Sequence, residues 1–247
     1  MDAQTRNNVC KNNWRAAHFL LAIAYSALLA CGSPRIPVVE QVPVPQVDAL
    51  PPNVVVRPLI LDRVIIDVPR GTVLGETRHG RLCSPLQPRT WEADTVVARQ
   101  GDFHREFEKV VVQYKYRLAD KPTSLFEEPK LSGAELVVAA KITNIRENNC
   151  FAAGNLSFEQ VYLGNVRFSV HWEVYSVLEK KVVLSLDNEG SAMVDEFKRT
   201  GEDSYYPRAF GNALRSLLKN ADFLHLVTSD PKIEMSKEQE DRLLCFG

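Results

Sequence analysis

The stretch VRFSVHWEVY, residues 166–175, carries the clearest structural signal in the sequence. Apolar and polar side chains alternate along it without interruption, which is the period of a β-strand that buries one face. The apolar set is Val166, Phe168, Val170, Trp172 and Val174. The opposite set is Arg167, Ser169, His171, Glu173 and Tyr175. We therefore expect a strand with one face in the core and the other towards solvent.

The segments around this strand predict the rest of a sheet. A polar turn at 179–181 precedes residues 182–186, where the alternation resumes, and this order is typical of a β-hairpin. Upstream, LVVAAKITNI at 136–145 is apolar on both faces, as in a central strand. The apolar, β-branched run between residues 57 and 68 predicts a further buried strand.

Two amphipathic helices complete the predicted fold. The first is expected to begin at Asp102, as an N-cap, and the second at Pro207, as a first helical position. Their apolar stripes are Phe103, Phe107, Val110, Val111 and Tyr114 in the first, and Phe210, Ala213, Leu214, Leu217 and Leu218 in the second. The sequence therefore predicts an α+β fold: a mostly antiparallel sheet of about four or five strands with two packed helices, preceded by a Pro-rich stalk.

The amino-terminal region has the layout of a secretory signal. Lys11 and Arg15 precede an apolar stretch at 16–30, which ends in small and apolar residues. At about 1.5 Å per residue this stretch reaches about 22 Å, whereas the hydrocarbon core of a bilayer measures about 30 Å. The stretch is therefore too short to span a membrane comfortably.

The residues Leu28-Leu29-Ala30-Cys31 resemble the lipobox of bacterial lipoproteins. The resemblance implies that a signal peptide at 1–30 is removed and that Cys31 is acylated as the first mature residue. The residue after the cysteine is Gly32 and not Asp, which resembles the pattern of lipoproteins that are sent on to the outer membrane. This resemblance implies a protein at the outer membrane that faces the periplasm. An ordinary cleaved signal and a buried apolar helix are the alternatives.

The chain divides into four parts on this interpretation. After the signal, residues 31–58 form a lipidated, Pro-rich linker with seven prolines between Ser33 and Pro58, which predicts a semi-rigid polyproline stalk. A disordered spacer is the alternative. Residues 59–228 form the α+β periplasmic domain, and 229–247 form a charged tail.

Apart from the cysteines of the signal and the anchor, the chain contains Cys83, Cys150 and Cys245. In an oxidising periplasm two of them can pair. We predict a disulfide between Cys83 and Cys150, because both lie in loop-like sequence at the margins of the folded region. Unpaired thiols are the alternative.

No pattern of residues indicates catalysis, a metal or a cofactor. The formal net charge of −1 excludes the basic excess of a nucleic-acid-binding protein. A zinc site built on His79 and Cys83 would need two further ligands, which the sequence does not supply. His171 and Glu173 share a strand face, which fits the solvated side of a sheet. We expect no enzymatic activity and no cofactor.

Aromatic residues give the best indication of a binding surface. Phe151, Phe158 and Tyr162 fall in a predicted loop at 148–164, which is long for a connection inside a compact domain. Exposed aromatic side chains suit protein interfaces. We predict a partner contact here, the alternative being that Phe158 and Tyr162 complete the core or an edge hairpin.

The element order over residues 57–228, with the phrase Ala134–Ile145 followed by a hairpin, is similar to a periplasmic domain of bacterial lipoproteins. That domain occurs in the curli secretion lipoprotein and in lipoprotein activators of penicillin-binding proteins. The resemblance implies a lipid-anchored, non-enzymatic structural or accessory subunit of a cell-envelope assembly, with other envelope subunits or further copies of itself as partners. The alternative is a regulatory lipoprotein that activates a cell-wall enzyme or a protease.

Overall fold

The computed structural model describes residues 36–51, 54–84, 86–92, 98–119, 133–153, 160–199 and 204–228. Within these residues it contains one mixed sheet of six strands and three helices. The elements are β1 (Leu59–Ile66), β2 (Val73–His79), β3 (Leu86–Thr90), α1 (Gln100–Gln113), β4 (Leu136–Ala153), β5 (Gln160–Ser176), β6 (Lys181–Arg199), α2 (Tyr205–Lys219) and α3 (Ala221–Thr228). The predicted α+β class is confirmed. The signal peptide, Cys31, Phe158 and the charged tail lie outside the described residues.

The sheet is organised around β4 and is mixed: its pairs β2–β3, β4–β5 and β5–β6 are antiparallel, whereas β4 pairs in parallel with β1 and β2. On one side β4 pairs antiparallel with β5, which pairs antiparallel with β6. On the other side β4 pairs in parallel with β1 along its first half and with β2 along its second half. The two parallel pairs were not predicted, because hydrophobic periodicity shows which face of a strand is buried but carries no information about the direction of its neighbour.

The alternation along β5 is confirmed in full. Its five predicted core residues are completely buried under the helices. The rings of Trp172 and Phe210 lie 5.2 Å apart, as do those of Phe103 and Phe210, so that α1, α2 and β5 meet in one aromatic cluster. The indole of Trp172 donates a hydrogen bond to Asn188 Oδ1 at 2.9 Å, which satisfies its polar atom inside the core.

The helix boundaries differ slightly from the predicted ones. α1 begins two residues before Asp102, whose carboxylate accepts a hydrogen bond from the Arg99 backbone N–H at 3.0 Å. This is a capping contact made from inside the first turn. α2 begins at Tyr205, two residues before Pro207.

The predicted loop at 148–164 was wrong in its described parts. β4 continues to Ala153 and β5 begins at Gln160, with Phe151 paired to Tyr162 across the two strands. Asn148 and Gly164 usually discourage strands, but each has a specific contact here. The Asn148 amide oxygen accepts from the Glu76 N–H at 3.0 Å, and a Cβ on Gly164 would lie 3.0 Å from Cε1 of Tyr205.

The predicted disulfide between Cys83 and Cys150 is present. Their Cα atoms are 5.5 Å apart, and the two residues are separated by 67 positions in the chain. The bond joins the turn after β2 to the end of β4, where the Gly80 N–H also donates to the Phe151 carbonyl at 2.8 Å. This end of the sheet is therefore held by both a covalent bond and a hydrogen bond.

Close packing of α2 on β6 gives a prediction at Gly190. A Cβ there would overlap the Ala209 carbonyl and lie 2.9 Å from Cβ of Ala213. We expect Gly190→Ala to lower the free energy of unfolding by about 1–3 kcal/mol, because the helix must move off the sheet. Urea unfolding measures this change.

Gly101→Ala is the matched control, because a Cβ at this helical position meets nothing within 4 Å. It should leave stability unchanged or raise it by up to about 1 kcal/mol. Equal stability of the Gly190→Ala variant and the parent would contradict the packing of α2 on β6.

Candidate functional site

The two faces of the sheet differ in what covers them. The helices cover one face. The other, called the open face, carries Asn165, Arg167 and His171 of β5 together with Ser191 of β6. Residues 36–51 have no regular secondary structure, and their first part lies against this open face. We call residues 36–42 the docked segment.

Two asparagine side chains hold the start of the docked segment. Asn148 Nδ2 and Asn165 Nδ2 both donate to the carbonyl of Pro37, at 2.9 and 3.1 Å. The Asn165 amide oxygen accepts from the Val39 N–H at 2.9 Å. Asn165 is completely buried, and both the nitrogen and the oxygen of its side-chain amide form hydrogen bonds to the segment instead of to water.

Further polar contacts continue the docking. The Ser191 hydroxyl accepts from the Val42 N–H at 2.8 Å. Arg167 lies between two carboxylates, at 2.7 Å from Glu40 of the segment and 2.6 Å from Glu189 of β6. Hydrogen bonds to Glu189 and Glu40 raise the pKa of this guanidinium, so it stays charged. The segment is thus bound through its backbone and through one ion pair.

The Pro-rich segment predicted as a semi-rigid stalk lies partly against the domain within residues 36–51. Besides the docked segment, Leu50 is buried, and its N–H donates to the Tyr114 carbonyl at 3.1 Å. An extended, Pro-rich segment has backbone groups that no secondary structure uses, so side chains of a sheet can bind them. Composition alone does not reveal such side chains.

The docked segment begins beside the disulfide. Ile36 packs against a small buried cluster of Cys83, Cys150 and Leu163, together with Phe197. Ile36 is also five positions after Cys31 in the sequence. The predicted lipid anchor and the disulfide end of the sheet are therefore separated by a very short length of chain.

A chain of three polar residues lies further along the open face. Asp187 Oδ1 is 2.8 Å from His171 Nδ1, and Ser185 Oγ is 3.3 Å from His171 Nε2. This is the order of groups in a Ser–His–Asp triad. However, the Asp187 side chain is 78% exposed, and Ser185 is also exposed, so water competes for the hydrogen bonds of both residues to His171. The predicted solvated face at His171 and Glu173 fits this geometry better.

The most deeply buried charge belongs to Glu147 of β4, which the sequence analysis missed. Its carboxylate pairs with the Arg89 guanidinium and accepts from the Tyr206 hydroxyl at 2.5 Å. Tyr205 lies at 3.4 Å from the same oxygen. Burial raises the pKa of Tyr206 well above its usual value, so its phenol remains a donor. The arrangement places a guanidinium and a phenol donor at a buried carboxylate and ties α2 to the sheet.

The signal for Glu147 was hidden because it fell at the edge of the predicted loop. No characteristic sequence spacing links a carboxylate in a strand to two aromatic hydroxyls in a later helix. Only the pairing of β4 with its neighbours brings these groups together.

The described residues contain no group of three His, Cys, Asp or Glu side chains arranged to hold a metal ion. Cys83, considered above as a zinc ligand with His79, is bonded to Cys150 instead. Of the helices in the described part, none has the length and apolar character needed to cross a bilayer.

Two of the three predicted partner-binding aromatics, Phe151 and Tyr162, lie within the described residues, and neither is fully exposed. Tyr162 is 5% exposed and packs on Tyr205 with ring centroids 5.7 Å apart, so it belongs to the core. Phe151 is partly buried beside it, and Phe158 lies outside the described residues. Three exposed apolar side chains, Tyr175, Leu178 and Val182, lie together at the opposite end of β5. We call these three residues the distal patch.

No family model and no curated protein sequence matches this chain. Solved structures that are similar to it include the following three. A hypothetical protein from Chlamydia trachomatis is 15% identical with a TM-score of 0.33, and the match covers 66% of this chain and 92% of that one. A Xanthomonas campestris protein of the DUF330 family is 10% identical with a TM-score of 0.31, covering 79% and 95%.

The third is a homolog of a neuraminyllactose-binding hemagglutinin from Helicobacter pylori, which is 12% identical with a TM-score of 0.33, covering 73% of this chain and 93% of that one. At these TM-scores the similarities carry no conclusion about this chain.

The asparagine contacts to Pro37 give a prediction for the docked segment. Asn165→Ala removes one donor to Pro37 and the acceptor for Val39. We expect hydrogen exchange of the Val39 amide to become faster and the free energy of unfolding to fall by about 1–2 kcal/mol. Exchange measured by mass spectrometry on peptides covering 36–42 tests this.

Ser169→Ala is the control, because Ser169 lies on the same face of β5 and its hydroxyl accepts from Asn144 at 3.4 Å. Its exchange over 36–42 should match that of the parent. Unchanged exchange in the Asn165→Ala variant would mean that the segment is not held by this side chain.

Proposed function

We propose that this chain is a lipid-anchored, non-enzymatic structural or accessory subunit of a cell-envelope assembly, held at the outer membrane and facing the periplasm. The sequence Leu28-Leu29-Ala30-Cys31 supports a lipid anchor. The bond between Cys83 and Cys150 supports export, because disulfides persist in oxidising compartments such as the periplasm.

The observation that carries the proposal is the docking of residues 36–42, which begin five positions after Cys31. Asn148, Asn165 and Ser191 are all buried, and their polar atoms bind the backbone of the docked segment. A short tether bound in this way fixes the domain relative to its anchor. Such a domain acts by being held in one place, which suits a subunit of a larger assembly.

Contact with other subunits would use surfaces away from the anchor. The distal patch exposes Leu178 in the turn between β5 and β6, with Tyr175 paired to Val182 beside it. Exposed aromatic and aliphatic side chains at one site suit a protein interface. Other envelope subunits, or further copies of this chain, are the partners that we propose. Contacts by Phe151 and Phe158 stay a prediction.

Cys31→Ser tests the anchor directly. Without the thiol there is no site for the first acyl chain, and several acyl chains are needed for stable binding to a bilayer. We expect the parent to sediment with membranes and the Cys31→Ser variant to lose this association. Fractionation followed by immunoblotting measures the distribution.

Cys245→Ser is the matched control and should remain with the membranes, because only Cys31 has the lipobox sequence before it. Equal sedimentation of the Cys31→Ser variant and the parent would contradict the anchor.

Blue-native electrophoresis of the same membranes in mild detergent then tests the subunit role, for which we expect a large complex. A monomer that stimulates a cell-wall enzyme or a protease would instead support a regulatory lipoprotein.

The second candidate function is hydrolysis, which the hydrogen-bonded series of Ser185, His171 and Asp187 favours. A catalytic serine needs a base, an orienting acid and donors that stabilise an oxyanion in a water-excluded site. The described residues supply the first two on an exposed sheet face. We therefore give this function second place.

A fluorophosphonate probe, which labels activated serines, separates the two functions. We expect the purified protein to remain unlabelled, because Ser185 is exposed to water beside an exposed Asp187. Labelling that disappears in Ser185→Ala but persists in the control Ser169→Ala would establish a hydrolase site and contradict our expectation.

A further inference from the structure

The position of the docked segment limits which part of the domain can lie near a bilayer. Five residue steps separate Cys31 from Ile36, and a fully extended chain covers at most about 3.6 Å per residue. An acylated Cys31 therefore lies within about 18 Å of Ile36. Since Ile36 packs on the disulfide cluster, the bilayer surface must lie close to that end of the sheet.

The surface at this end has the chemistry of a membrane contact. In the turn between β2 and β3, Leu82 is 83% exposed, and Arg81 beside it is also exposed. Arg81 forms no ion pair with another residue in the part of the chain that the structure describes. An apolar side chain next to a cation matches the boundary between acyl chains and lipid phosphates.

The turn is held rigidly, although its exposed leucine contributes nothing to the core. Cys83 is bonded to Cys150, the Cys83 N–H donates to the Gly80 carbonyl at 3.0 Å, and the Gly80 N–H donates to the Phe151 carbonyl. These contacts fix the turn at the end of β4 with Leu82 projecting outward. A fixed, exposed leucine costs little ordering entropy when it enters an interface.

The distal patch lies at the other end of the same strand. β5 has 17 residues, and at about 3.3 Å per residue it extends about 55 Å between the two ends. If the disulfide end faces the bilayer, Leu178 projects away from it. The two exposed apolar surfaces would then have separate occupants, lipid at one end and protein at the other.

We propose that the turn bearing Arg81 and Leu82 rests on the bilayer surface, with Leu82 in the interfacial region and Arg81 at the lipid phosphates. The domain then stands on its disulfide end with the distal patch facing the periplasm. This inference rests on the proposed anchor at Cys31.

Quenching of tryptophan fluorescence by brominated lipids tests the orientation. The protein used is the whole mature chain, after removal of the signal peptide and acylation of Cys31. The Leu82→Trp and Leu178→Trp variants each place an indole at an exposed position in a turn, one at each end of β5. Each is purified from membranes in mild detergent and reconstituted into vesicles of phosphatidylethanolamine with a minor fraction of phosphatidylglycerol, with and without brominated acyl chains. The parent, which retains Trp91 and Trp172, supplies the background fluorescence.

We expect the fluorescence added by Leu82→Trp to be largely lost in brominated vesicles, whereas that added by Leu178→Trp is retained. Flotation of the parent with the vesicles reports on the anchor separately. If the parent floats but the Leu82→Trp signal is not quenched, or both variants are quenched equally, the orientation is wrong while the anchor stands. If the parent does not float, the anchor and the orientation both fall.

Discussion

The two-residue repeat of β5 is the constraint on which the rest of the structure depends. Because successive side chains point to opposite faces, burying Trp172 under the helices obliges Asn165 and Arg167 to point to the other face. The same strand therefore holds the core and receives the docked segment. A shift of register by one residue would expose the core residues and bury the polar ones. The fold and the candidate site are consequently specified together.

The region where β4 and β5 meet near the disulfide shows how polar groups are accommodated inside a sheet. Glu147 faces the helices and contacts Arg89 and Tyr206, whereas Asn148 faces the docked segment and binds Pro37. Glu147 and Asn148 thus each contact specific polar groups, which lowers the cost of their burial. Residues that contradict simple strand preferences concentrate here, which is where local rules yield to function or to a particular contact.

The sequence was informative wherever burial alone determined the pattern. The strand at 166–175, its hairpin partner and the stripes of both helices follow from period and apolar content. The pairing of Cys83 with Cys150 was predicted correctly, although Cys150 lies in β4 and not in the loop on which that prediction rested. What it did not reveal depends on contacts between distant segments. Neither the parallel pairing of β1 and β2 with β4 nor the binding of Pro37 by asparagines more than a hundred residues later leaves a local signal.

Taken together, these features describe a domain that works by position. On our account a lipid at Cys31, a short docked tether and a rigid disulfide end fix one end of the sheet at the membrane and leave the other end for partners. Mass spectrometry of the amino-terminal peptide of the protein purified from membranes tests the central claim most directly. The account predicts a peptide that begins at Cys31 and carries the mass of a diacylglyceryl group and an amide-linked acyl chain. A peptide that begins at Met1, or a cleaved amino terminus without added mass, would contradict it.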